Sequence, residues 1–233
     1  IEGSISEPGG NLVESNVISR VRVIFVAPAG GVTPNVFRDN HIGVAADGET
    51  PLGNTGHGVN IDSSSNTHLF DNVISGHGQD GVHISSGQSL GTVIQGNRIG
   101  TDATGTFDLG NAGNGLQLNG TADNTIGGTT AAARNVISGN GSNGIWITGT
   151  NPDENLIQGN FIGTDISGHP TLGNRTGVAI ENAHDNHIGG TLPAVRSTAR
   201  FEVLLMARSP PMIPGRRPHL RGQGRIRPRH LPR

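Results

Sequence analysis

Apolar residues in this chain come in short alternating runs, and the runs repeat. Asn-X-Ile followed by Ser or Gly opens at Asn16, Asn40, Asn72, Asn97, Asn135 and Asn160, at spacings of 24, 32, 25, 38 and 25 residues. A second run, Gly-apolar-X-apolar, recurs as GVNI at 58–61, GVHI at 81–84, GLQL at 115–118, GIWI at 144–147 and GVAI at 177–180, with VIFV at 23–26 in its place in the first copy. A third appears as TVI at 92–94 and LI at 156–157. Each run is three to five residues long, alternates with period two and is bounded by Gly or Asn, as short strands buried on one face are. No stretch carries a helical period of useful length.

The units pair into a longer repeat. Residues 72–134 and 135–196 run in parallel: NVISGHGQDGVHI matches NVISGNGSNGIWI, and TVIQGNRIGTDATGTFDLGN matches NLIQGNFIGTDISGHPTLGN. Residues 16–71 form a shorter earlier copy. Three strands per coil of roughly 25 residues, with no hairpin signature between them, predict an all-β single-stranded parallel β-helix over residues 1–196, about six coils tall. Each strand then bonds to its equivalent about 4.8 Å above and below, and stacking supplies the core that no single coil can close. Right-handed winding follows from the handedness of parallel crossovers. Ile42, Ile74, Ile99, Ile137 and Ile162 are expected to point inward. Every second coil carries a twelve-residue insert, at 43–54, 100–111 and 163–174, ending in Leu-Gly-Asn. Their common place in the repeat predicts a stacked ridge along one side.

The motifs NVISGN, IQGNFIGTD, LGN and NxIGGT resemble the right-handed parallel β-helix repeat proteins of bacterial surfaces, within the broad pectin-lyase-like group. The resemblance covers roughly residues 11–196. It implies the fold and an extracellular or cell-surface setting. It leaves activity open, because that group includes polysaccharide lyases, glycosidases, epimerases, adhesins and modules without assigned chemistry.

Composition changes this picture in three ways. With 38 Gly and no Cys among 233 residues, the chain is turn-rich and has neither disulfides nor thiolate metal sites. No apolar run reaches membrane-spanning length, so no membrane partner is expected, and the opening residues resemble the middle of a repeat more than a signal peptide. Charge is split: residues 1–196 hold 7 Arg against 17 acidic residues (net −10), while 197–233 hold 9 Arg against one Glu (net +8). The repeat breaks off after Arg196 into this Arg/Pro-rich tail. Three readings of the tail stand open: an out-of-frame or fused segment, a native basic arm toward the acidic body or nucleic acid, and a cap over the open end formed by 201–206. No specific nucleic-acid partner is expected, whereas an open helix end invites end-to-end or capped self-association.

Candidate chemistry comes from laying the coils over one another. The residue before the second-run glycine reads His57, Asp80, Asn114, Asn143, Thr176, and the outward residue of that run reads Phe25, Asn60, His83, Gln117, Trp146, Ala179. His57, Asp80 and His83 should therefore be neighbours, with Asn60, Gln117 and Trp146 flanking them as substrate contacts. A carboxylate beside an imidazole orients it and raises its basicity, the requirement for activating water. The expected activity is that of a hydrolase or lyase on a carbohydrate or a small ester or lactone, with a non-catalytic surface segment as the alternative. Asp102 and Asp165, equivalent in Gly-Thr-Asp, suit either calcium or an Asx turn, and Ala45 at the same place in the remaining insert, 43–54, favours the turn. GHG at 76–78 resembles the polygalacturonase motif without that family's other motifs. His77 stands where the next copy has Asn140, as a substituted repeat asparagine.

Overall fold

The structure, a computed structural model, describes residues 10–19, 33–150 and 153–189, and the backbone alone of Ile24–Val26 and Val203–Met206. Short alternating runs become three sheets. Sheet I stacks Leu12–Glu14, Asn35–Arg38, Thr67–Phe70, Val93–Gln95, Thr125–Gly127, Leu156–Gln158 and His187–Ile188. Sheet II stacks Val17–Ile18, His41–Ile42, Val73–Ile74, Arg98–Ile99, Val136–Ile137 and Phe161–Ile162. Sheet III stacks Ile24–Val26, Val59–Asp62, Val82–Ser85, Leu116–Asn119, Asn143–Thr148, Thr176–Glu181 and Val203–Met206. The chain visits the sheets in turn and each strand pairs in parallel with its equivalent one coil away. This is a parallel β-helix. Among the described residues no helix forms, and none is long and apolar enough to cross a membrane.

Register carries the core. Ile42 lies over Ile74, Ile74 over Ile99, Ile99 over Ile137 and Ile137 over Ile162. All five are buried, together with the alternate residues of sheet III such as Val82, Ile84, Leu116 and Leu118. Each such side chain contributes about 1.5–3 kcal/mol of burial, and only stacking brings it out of water. The glycine that opens each sheet III strand answers a steric demand. A Cβ on Gly115 would lie 2.5 Å from Ile137 Cγ2 and 2.7 Å from the Gly144 carbonyl, so the corner between sheets II and III closes only on hydrogen.

The repeat asparagines form a continuous amide ladder. From Asn40 to Asn72 to Asn97 to Asn135, each backbone N–H and each Nδ2 donates to the Oδ1 one coil on, at 2.9–3.0 Å. The same Nδ2 groups reach the sheet I carbonyls of Val13, Phe37, Leu69 and Ile94. Left-handed backbone geometry falls not on these asparagines, as their residue type suggests, but on the residue before all of them except Asn135: Ser15, Asp39, Asp71, Gly96 and Gly159 have φ between 54° and 71°. The asparagine itself needs ordinary geometry to aim its amide along the stack.

The inserts stack as expected: the Ala103 amide donates to Gly48 O and the Ile166 amide to Gly105 O, both at 2.9 Å. They form a ridge beside the start of sheet III. Of the tail, only the backbone of Val203–Met206 lies within the described residues. It pairs in parallel with Thr176–Glu181 and adds one rung to sheet III.

Candidate functional site

Two further ladders meet at the corner where the inserts run into sheet III. One alternates the asparagines that close the inserts with Asn140, the last residue of the NVISGN run. Asn140 donates from its amide and Nδ2 to Asn174 Oδ1 (2.9 and 3.0 Å), and Asn111 Nδ2 donates to Asn140 Oδ1 (2.9 Å). His77 takes the place of an asparagine in this column. Its N–H donates to Asn111 Oδ1 (3.2 Å), its Nδ1 accepts from the Asn54 amide (3.4 Å), and its Nε2 lies 3.2 Å from Ile42 O. The carbonyls of Ile74, Ile99 and Ile137 receive the equivalent bond from Asn111, Asn140 and Asn174. With the proton on Nε2, the ring thus reproduces the amide's acceptor and its donation to the sheet II carbonyl, while the amide's second N–H, which bonds the next Oδ1, has no counterpart. Burial draws its pKa down to about 4, against the pull of the Ile42 carbonyl, so it is neutral at neutral pH.

The second ladder precedes the sheet III glycines. Each backbone N–H donates to the side chain of the coil before: Asn143 to Asn114 Oδ1 (3.1 Å), Asn114 to Asp80 Oδ1 (2.7 Å) and Asp80 to His57 Nδ1 (3.2 Å). The asparagine Nδ2 groups repeat the bond, Asn143 to Asn114 Oδ1 and Asn114 to Asp80 Oδ1, both at 2.8 Å. At Asp80 the pattern breaks. Its Oδ2 occupies the place of an Nδ2 and faces His57 Nδ1 at 3.3 Å, an acceptor against the nitrogen that already accepts from the Asp80 amide.

From the outward row of sheet III, His83 brings its Nδ1 to 3.2 Å from the same Oδ2. Strand register places Asn60 and Gln117 directly either side of His83, and Trp146 next beyond Gln117. The two imidazoles lie side by side, ring centroids 4.5 Å apart and 30° from parallel. Exposure separates the roles: the Asp80 side chain is 7% exposed, those of His57 and His83 24% and 16%. Burial pushes the Asp80 carboxyl up. The neighbouring rings of His57 and His83 and the bond from Asn114 outweigh that and hold it well below the usual carboxylate range. The carboxylate is a sunken, permanent charge with imidazole edges reaching solvent above it.

The chain matches no family model, no curated protein and no solved structure.

Asp102 and Asp165 do not join this cluster. Asp102 Oδ1 accepts from the amides of Thr106 and Phe107, and Oδ2 from Thr104, while Asp165 Oδ1 accepts from the amides of Ser167 and His169. Each carboxylate caps its own insert, the Asx-turn alternative. In the first insert the cap comes from Asp47, which accepts from the amides of Glu49 and Thr50. Position-by-position alignment missed it because Asp47 lies two residues after Ala45, yet it closes the same turn. The insert ridge, whose stacking could wall a groove, borders an open cleft of about 430 Å³ lined by His77, Asp108, Leu109, Asn111 and neighbouring glycines. Asp108 carries no repeat signature, and its position came only with the folded insert.

Proposed function

We propose that this β-helix is a hydrolase of the pectin-lyase-like type, acting outside the cell on a small ester, a lactone or a carbohydrate at the His57–Asp80–His83 face. One observation carries the reading: a single oxygen of a buried, ionised carboxylate stands within 3.3 Å of Nδ1 of two largely buried imidazoles whose edges reach solvent. Asp80 accepting from Nδ1–H of His83 leaves the lone pair of that ring on Nε2. That nitrogen takes a proton from water as the oxygen attacks the carbonyl carbon, the carboxylate steadies the imidazolium, and the proton then passes to the leaving alkoxide. Asn60 and Gln117 offer side-chain amides to the developing oxyanion. Trp146 offers an aromatic face two rungs from His83, about 10 Å along the stack. The ester or lactone branch fits best, because one imidazole serves as base and then acid, whereas glycoside hydrolysis needs two placed carboxylates. Calcium at Asp102 or Asp165 plays no part in this scheme.

The test is turnover on a panel of chromogenic esters, lactones and polysaccharides, with Asp80→Asn and His83→Gln alongside. Loss of about 100-fold or more in kcat/KM in both variants is expected. Unchanged rates would remove the assignment. A second reading, a non-catalytic segment of a surface protein, is favoured by the place of His57 and Asp80 inside an amide ladder; it predicts no turnover on any member of the panel.

A further inference from the structure

We propose that His57, Asp80 and His83 bind a divalent transition-metal ion of the zinc class. The proposal rests on the reading of this cluster as the reactive site and adds what holds the attacking water there.

Each residue offers one ligand atom, and the three atoms lie within 4.8 Å of one another. The Nδ1–Oδ2 separations of 3.2 and 3.3 Å match neighbouring ligands on one metal, which stand roughly 3.0–3.5 Å apart when metal–ligand bonds are near 2.1 Å. A second observation points to a cation independently of proximity. The ladder sets His57 Nδ1 to accept from the Asp80 amide, so Oδ2 and Nδ1 face each other as two acceptors with no proton assigned between them. A cation at that point turns a repulsive contact into two bonds, and the Asp80 amide gives up its bond to Nδ1 when the ion enters.

The surroundings suit a ligand set. Both Asn114 donors hold Asp80 Oδ1, which fixes the carboxylate plane and presents Oδ2, as outer partners of metal-bound carboxylates do. Two imidazole nitrogens with one carboxylate oxygen select zinc, cobalt, nickel or copper over calcium, which takes six to eight oxygens. The exposed imidazole edges leave the remaining positions to solvent. With the ion bound, His83 Nδ1 gives up its proton and the ring N–H moves to Nε2. Hydroxide, formed as bound water releases its proton to bulk solvent near neutral pH, then takes the place of the His83 base as the source of the nucleophile.

The experiment titrates the full chain with Zn²⁺ in a calorimeter and with Co²⁺ by visible absorption, for the parent protein, Asp80→Asn and His83→Gln. One ion per chain is expected, with four- or five-coordinate cobalt bands and affinity at least about 10-fold weaker in each variant. Asp80→Asn keeps the fold, since the new amide donates to His57 Nδ1 as Asn114 does to Asp80. Absence of one-to-one binding, or equal binding by both variants, overturns the proposal. Zinc held without turnover on the ester panel supports the metal site and sinks the hydrolase reading. Turnover that persists in a chain that binds no zinc does the reverse.

Discussion

Histidine replaces a ladder asparagine at two places in this molecule, and the outcomes differ. His77 reproduces the amide it displaces: acceptor at Nδ1, donor at Nε2, same carbonyl, same coil spacing. His57 is followed one coil on by Asp80, and there acceptor meets acceptor. A substitution that keeps the donor–acceptor pattern is absorbed by the scaffold. One that breaks it leaves a demand for a proton or a cation, which a stable fold tolerates only where something meets that demand. The contrast separates a structural histidine from a chemical one on neighbouring coils.

The largest effect should come from removing an ordinary rung. Asn135→Ala deletes the acceptor used by Asn97 and the donor used by Ile94 O and Asn160, and strands buried partners. A loss of about 3–5 kcal/mol in urea unfolding is expected. A smaller loss would mean that the ladder is ornament to the isoleucine stack.

Next is the acid response of His77. Its folded pKa of about 4 lies below the ordinary 6.5, so the unfolded chain binds the extra proton between those values. Stability is therefore full above pH 6.5 and falls by on the order of 3 kcal/mol as pH drops toward 4. His77→Asn should abolish that slope while staying within about 1 kcal/mol at pH 7, read by thermal melts across pH. A slope that survives the substitution would assign it to other groups.

Asp102→Ala should cost about 1–2 kcal/mol through the uncapped insert, with melting unaltered by chelator in the parent chain. A chelator-sensitive melt that Asp102→Ala abolishes would instead place calcium at the turn.

The smallest effect on stability is expected at the other histidine site. Asp80→Asn completes the amide ladder, so unfolding free energy should change by less than about 1 kcal/mol even as activity and metal affinity fall. Marked destabilisation would mean that the carboxylate serves the fold, and the contrast with His77 would collapse.

Much of this was legible in the chain. Period-two runs recurring in the same order in every coil named the parallel stack, because register converts a repeated position into a column; the inward isoleucines and the neighbourhood of His57, Asp80 and His83 followed from aligning the coils. The left-handed corners were displaced by one residue, since propensity says which residue tolerates such a turn and not where the corner falls. Asp47 as the first insert's cap and Asp108 at the cleft were illegible, because inserts fold by local bonds that obey no repeat. What the sequence by itself determined is which residues share a column. Only the tertiary structure decided which atoms of a column meet, because hydrogen-bond direction along a ladder is set by backbone geometry at each corner. That direction is what makes His77 a copy of an amide and leaves Asp80 facing His57 without a proton between them.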